Sequence, residues 1–348
     1  MAASERSFRL ILGAPIALEQ AFLEHVRATR ERDPLAPLDV LIGGVLQRPY
    51  LQRLIAETYG ALLNVRFSTL GELGVRLGEA RLIADGRRPI TAIAERGYAA
   101  ENARATRGYF EPVAQTPGFA DAARRFVREL RQEAIDPNLF ASLAPRAAES
   151  ELKAATLVDL YERYVSRRAD RYDGEDALAV ADAARFDGIE LLVYGVWRLG
   201  ANARALIAAL GERIPVTFFL PSVAPDADQA TQALTTWLES LGAERSLVEA
   251  PEATTALARV QRDLFTPADP VPPDETVQLI SAPDPLSETR EAARTCLTWA
   301  RAGIAFREMA ITYRDAGIYR PLVEAVFSEA GIPVYLDDGP SVAERPLG

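Results

Sequence analysis

Phe8-Arg9-Leu10-Ile11-Leu12, then Gly13-Ala14-Pro15, then Ile16-Ala17-Leu18-Glu19-Gln20 is the stretch on which the fold turns. The first five residues read as a short apolar strand, the next three as a turn, and the rest as a helix starting near Ile16 and running to about Arg32. The same rhythm continues outward. Leu38-Asp39-Val40-Leu41-Ile42 is a second strand, Pro49 to Tyr59 a helix, Asn64-Val65-Arg66-Phe67-Ser68 a third strand, and Leu70 opens another helix. Short apolar strands separated by amphipathic helices predict a parallel sheet covered by helices, the α/β class.

A strand, a glycine turn and a helix invite a test for a phosphate cradle. A P-loop beginning at Gly13 requires glycine at position 18, lysine at 19 and serine or threonine at 20. This chain has Leu18, Glu19 and Gln20, and Pro15 removes a backbone N–H from the turn. Glu19 puts a carboxylate where an ammonium belongs. Two like charges 4 Å apart repel by roughly 4 kcal/mol at an effective dielectric near 20, so the substitution opposes nucleotide binding. The rest of the chain offers little to replace that ammonium, because 38 arginines accompany a single lysine, Lys153. Gly13 and Glu19 thus mark a degenerate nucleotide site, and productive binding of ATP and Mg²⁺ is not expected.

Composition bounds the remaining chemistry. The chain has 348 residues, 49% of them hydrophobic and 25% charged, which suits an ordinary globular protein of two domains or one large one. No apolar run approaches the roughly 18 residues of a membrane helix, and residues 1 to 20 lack a signal-peptide pattern, so the expected location is the cytoplasm. One cysteine, Cys296, and one histidine, His25, leave no internal disulfide, no zinc cluster and no histidine triad except one through His25. His25 reads as a partly exposed helix residue and Cys296 as a core filler, so no catalytic residue and no metal site is assigned. A net charge of −10 argues against nucleic acid binding over the whole surface, although a local arginine-lined groove remains compatible with it. Arginine without lysine, beside heavy alanine use, reads as a coding bias and not as a DNA signal.

From about Arg88 to Phe186 no strand-like run appears and helical periodicity dominates. Ala120 to Glu133 is one expected helix and Leu152 to Tyr172 another. Strand patterning returns at Glu190-Leu191-Leu192-Val193-Tyr194-Gly195 and at Pro215-Val216-Thr217-Phe218-Phe219-Leu220. An all-helical insertion over about 90–185 therefore interrupts a first domain spanning 1–265. Residues 266–274, with four prolines, read as a linker. Beyond it the rhythm restarts with the strand Val277 to Ser281, a helix from Leu286 to Ala302, the strand Met309-Ala310-Ile311-Thr312-Tyr313 and the strand Ile332-Pro333-Val334-Tyr335. Residues 275–348 read as the start of a second α/β domain that is not complete.

The order of P-loop-like turn, helical insertion, apolar strand, linker and second α/β unit resembles superfamily 1 helicases. More closely it is similar to the AddB/RexB-type subunits of bacterial helicase-nucleases. Arg66-Phe67-Ser68-Thr69-Leu70-Gly71-Glu72-Leu73 is similar to the helicase segment in which a threonine after the third strand touches the DNA backbone. The densest match is Glu288 and Glu291 on a helix, Gly303-Ile304-Ala305-Phe306-Arg307-Glu308-Met309-Ala310-Ile311-Thr312-Tyr313-Arg314, then Tyr319, Leu322 and Gly331-Ile332-Pro333-Val334-Tyr335. The resemblance covers most of the chain, weakly over 90–185 and best over 275–340. It implies two RecA-like domains, a partner motor subunit and single-stranded DNA as ligand.

On that resemblance Leu191-Leu192-Val193 is the Walker B strand, whose following Asp-Glu would hold Mg²⁺ and align the attacking water. Tyr194 and Gly195 stand there instead, so no role of an ATPase is filled. Arg314 occupies the place of the helicase arginine that reaches a γ-phosphate; its alternative reading is a surface or salt-bridged arginine ending a strand. Trp197-Arg198, just beyond the Walker B position, offers an aromatic and a guanidinium plane on which a base could stack. The alternative is a loop tryptophan capping a sheet edge. Nuclease sites of the PD-(D/E)xK kind need two acids and a nearby lysine. Glu288/Glu291 and Asp337/Asp338 are the compact acidic groups, and neither has a lysine beside it, so any nuclease of the intact protein is expected beyond Gly348.

The expected function is a non-motor helicase-like scaffold in a DNA repair helicase-nuclease, holding DNA near Thr69, Trp197 and Arg198. Two readings remain open beside it: an active ATP-dependent helicase with an aberrant P-loop, and a protein-interaction module with no DNA role.

Overall fold

The computed structural model describes residues 8–60, 63–222, 229–249, 252–263, 269–270 and 272–336. The chain divides into two compact units, Met1–Ala253 with Arg259–Ala268, and Thr254–Ala258 with Asp269–Gly348.

The first unit opens with β1 (Phe8–Gly13), α1 (Pro15–Arg32), β2 (Leu38–Ile42), α2 (Gln47–Tyr59), β3 (Val65–Ser68) and α3 (Leu70–Ala84). After the helical insertion come β6 (Leu191–Tyr194), α9 (Ala201–Gly211), β7 (Val216–Pro221), α10 (Gln229–Ser240) and β8 (Glu244–Val248). These six strands form one sheet in the order β3-β2-β6-β7-β1-β8, with every pairing parallel. The five strands expected from the sequence are all in it. The sixth, β8, was not expected: it is a sheet-edge strand with mostly exposed residues, so it lacks the apolar run that marks an interior strand.

Strand alternation sorts the core into two layers. Leu10, Leu191, Val193, Val216 and Phe218 face α3, α9 and α10 on one side, while Val40, Ile42, Leu192 and Phe219 face α1 and α2 on the other. Burial of both faces is the arrangement of a RecA-like α/β sheet, and it explains the nearly unbroken apolar runs of β2, β6 and β7.

The insertion contains α4 (Ala92–Arg104), α5 (Pro117–Gln132), α6 (Pro137–Ala147), α7 (Glu151–Arg167) and α8 (Gly174–Ala179). Ala99, Val127, Phe140, Tyr161 and Tyr164 give this lobe a core of its own. It is not free of strands, contrary to the sequence reading. Arg88–Pro89 (β4) and Arg171–Tyr172 (β5) pair in parallel at its base, and α7 stops at Arg167 instead of running to Tyr172. Two residues per strand leave no period to detect, and Leu82 and Ala177 pack on the buried Tyr172 ring to fix the ladder. Arg131 of α5 and Arg168 after α7 converge on Asp173 and Asp176 at the start of α8, anchoring the lobe to its base.

His25 is also more engaged than its sequence context indicated. Its ring sits 2.8 Å from Glu190, whose other oxygen accepts from Thr29, so the pair ties α1 to the beginning of β6.

Ala256–Asp263 is α11, and the second unit proper contains α12 (Pro285–Arg301) and α13 (Ala316–Glu329), packed through Ala293, Cys296, Val323 and Phe327. Cys296 is a buried free thiol in that core. The strands expected at Val277 to Ser281, Met309 to Tyr313 and Ile332 to Tyr335 do not form ladders among the described residues. An extended segment becomes a strand only when a neighbour takes its N–H and C=O groups, and here Leu279 and Tyr335 stay exposed. Of the proline-rich stretch, 266–268 and 271 lie outside the described residues, as do Asp337 and Asp338.

Candidate functional site

The strand-to-helix junction at Gly13 is shorter than the sequence indicated. Gly13 is the last residue of β1 and Pro15 the first of α1, leaving Ala14 alone as the connection. A phosphate cradle is a loop of several backbone N–H groups, and one residue cannot supply it. Gly13 serves a different end. It pairs with Pro221 and Val248, and a Cβ there would lie 2.7 Å from the Val248 carbonyl oxygen, so glycine admits the close approach of β8. The first turn of α1 has no side-chain cap and carries Pro15 at its start.

Glu19 is half-buried and accepts a 2.5 Å hydrogen bond from the Tyr50 phenol of α2. Burial, then the Glu19 bond and charge, push Tyr50 up to about 12. Tyr194, the last residue of β6, packs its ring edge-on to Phe22 and against Phe219. Its phenol is also raised, first by burial and then by the negative charge of Glu19. Tyr194 ends β6 and Glu19 lies in the helix that follows β1, so both stand at the carboxyl end of the sheet.

Gly195 follows with φ +64, a conformation that suits glycine. Its carbonyl oxygen lies so near Gly43, which follows β2, that a Cβ on Gly43 would meet it at 2.1 Å. Gln47 bridges the two loops: its side-chain oxygen accepts from the Gly43 N–H at 2.8 Å, and its amide nitrogen lies where a Gly195 side chain would project. Gly195 therefore sits against the Gln47 amide on one side and Gly43 on the other.

Beside this junction lies a concavity of about 330 Å³ whose lining includes Gly43, Thr69, Gly71, Gly195, Trp197 and Arg198. Thr69, Trp197 and Arg198, read separately from the sequence, are brought together there by the carboxyl ends of β2, β3 and β6. Trp197 is 49% exposed. It follows β6, which lies between β2 and β7 in the sheet. Arg198 reaches Glu133 at the end of α5 at 2.9 Å. Thr69 is the N-cap of α3: its hydroxyl accepts from the Glu72 N–H while the Glu72 carboxylate accepts from the Thr69 N–H at 2.7 Å. Burial would raise the Glu72 carboxyl, but the Arg48 bond and the Thr69 bonds outweigh it and lower it. Thr69 thus has a helix-capping role that the sequence reading did not assign. Gly43, Gln47 and Tyr50 were missed altogether, and the Gly43-Gly44 pair directly after an apolar strand is the signal that could have found them.

Arg314 belongs to the second unit, where it stands exposed in a bend before α13 and does not end a strand. Glu288 accepts from the Tyr319 phenol at 2.5 Å and Glu291 pairs with Arg294. Among the described residues no helix is long and apolar enough to cross a membrane, and no group of three His, Cys, Asp or Glu side chains stands close enough to hold a metal ion.

No family model matches the chain. It is similar to curated proteins each named as a subunit of an ATP-dependent helicase/deoxyribonuclease, in keeping with the resemblance read from the sequence. The one from Symbiobacterium thermophilum is 27% identical over 277 residues, 68% of this chain and 24% of the relative. That from Pelotomaculum thermopropionicum is 27% identical over 270 residues, 66% of this chain and 23% of the relative. That from Desulforudis audaxviator is 24% identical over 371 residues, covering 96% of this chain and 30% of the relative. The chain thus spans about a quarter of the length of the curated relatives it matches.

Proposed function

We propose that this chain is part of a helicase-nuclease subunit in which the RecA-like unit acts as a non-motor scaffold, holding single-stranded DNA beside a partner motor subunit. The observation that carries the reading is the meeting of Thr69, Trp197 and Arg198 in one concavity at the strand carboxyl ends. Ligands of open α/β sheets sit in that place. The half-exposed indole offers a base a stacking face, and the surrounding glycines let a strand approach the backbone. The names of the relatives support the same assignment.

ATP has no part in this reading. The single-residue connection at Ala14 gives no cradle, Glu19 is bonded to Tyr50, and Tyr194 and Gly195 supply neither a Mg²⁺ ligand nor a base.

Titration of a fluorescein-labelled single-stranded oligonucleotide at low salt tests the proposal. Trp197→Ala should weaken binding by about 1 to 3 kcal/mol if the ring stacks on a base. Equal binding by wild type and variant would remove the stacking role. Absence of binding by the wild type would favour a protein-interaction module, and ATP turnover by the unmodified chain would favour an active helicase.

A further inference from the structure

The helical lobe carries a second concavity that the strand-end reading does not use. It is an open basin of about 600 Å³ between α4 and α5, lined by Arg96, Asp121, Arg124 and Arg125. Three guanidiniums meet one carboxylate there, in a chain whose net charge is −10. Neighbouring arginines on the same helix are neutralised: Arg128 stands 3.7 Å from Glu95, and Arg131 is held by Asp173 and Asp176. Arg96 and Arg125, in contrast, are exposed and have no hydrogen-bond or ion-pair partner among the described residues. Arg124 reaches Asp121 only at 4.0 Å, and its buried Nε–H has no acceptor. Three like charges set against a single carboxylate raise the energy of the free protein, and an anion relieves it.

We propose that this basin binds successive phosphates of a nucleic-acid strand whose bases occupy the Trp197 concavity, an inference that rests on the proposed function. Guanidinium forks match phosphate oxygens in pairs. Position favours a nucleic-acid backbone over an acidic polypeptide. Arg125 precedes Glu133, the residue that Arg198 grips, by eight residues along α5, which is about 12 Å of helix. A strand seated on Trp197 therefore needs only a few nucleotides to reach the basin.

The test is a salt titration of a 20-nucleotide fluorescein-labelled single strand with the whole chain. The double variant Arg96→Gln/Arg125→Gln should bind about tenfold more weakly at low salt. The slope of log K against log salt should shrink by about 1.4, the value for two lost single-strand phosphate contacts. Asp121→Asn, which removes the opposing carboxylate, should bind more tightly. Trp197→Ala should weaken binding and leave the slope unchanged. A double variant with wild-type affinity and slope overturns the basin, whatever Trp197→Ala does. A weakened double variant with an unaffected Trp197→Ala keeps the basin and overturns the strand-end reading. Displacement of the oligonucleotide by poly-glutamate at equal charge concentration overturns phosphate as the ligand, and no binding by the wild type overturns both proposals.

Discussion

The Tyr50 phenol points its proton at the Glu19 carboxylate across 2.5 Å, bonding α2 to α1 near the carboxyl end of β1. The bond makes Glu19 part of the packing between α1 and α2. Replacing it therefore changes a tyrosine before it changes any nucleotide chemistry.

Glu19→Gln should lower the titration of Tyr50 from about 12 toward, but not to, the ordinary value, because burial is the larger cause and persists. The difference in tyrosinate absorbance between wild type and variant measures it. Glu19→Lys should leave ATP hydrolysis absent, since Ala14 still gives no cradle and Tyr194 no Mg²⁺ ligand. Turnover by that variant would refute the account of the junction.

The two adjacent glycines after β2 should respond differently to alanine. At Gly43 a methyl group would meet the Gly195 carbonyl oxygen, a backbone atom that cannot swing away, so Gly43→Ala should cost roughly 1–3 kcal/mol. Gly44 has open space around it, and Gly44→Ala should be close to neutral. Urea denaturation of the two variants makes the comparison, and equal midpoints would contradict the close approach.

Asp39 lies buried on β2 between Arg66 and Arg76, each at 2.8 Å. Asp39→Ala takes the carboxylate from Arg76 and leaves Arg66 with Asp187 alone, and it should cost about 3 kcal/mol, the lower end for breaking a buried pair because both arginines are partly exposed. Asp187 also bonds Arg66 but is itself exposed, and Asp187→Ala should cost less than about 1 kcal/mol. Chemical denaturation should rank the two variants in that order.

Acid should loosen the helical lobe through Asp173. Burial acts to raise this carboxyl, but the Arg131 and Arg168 guanidiniums outweigh it and hold it well below the usual carboxylate range. The folded state therefore keeps the proton off where the unfolded chain takes it up near pH 3.9. Its stabilisation is complete above that value and is lost as pH falls toward the lower folded value. Thermal unfolding followed between pH 2 and pH 5 should show this slope. Asp173→Asn, which retains an N-cap side chain for α8, should flatten it.

Much of the first unit was legible because its strands are buried on both faces. Leu38 to Ile42, Leu191 to Tyr194 and Val216 to Leu220 are apolar runs that a polar edge strand such as Glu244 to Val248 cannot imitate. In the second unit the same kind of pattern misled. Val277 to Ser281 and Met309 to Tyr313 have strand-like composition but no ladder, since pairing depends on a neighbour and not on the segment.

The sequence by itself determined the α/β class and the helical character of 90–185, because periodicity is a local property. Only the tertiary structure decided that β1 runs into α1 through Ala14 alone, that Gln47 and Gly43 close the space beside Gly195, and that Thr69, Trp197 and Arg198 share one concavity. Those facts depend on strand order and on side chains distant in the chain meeting across the sheet. No local pattern encodes which strand lies beside which; the burial of two apolar faces at once selects it.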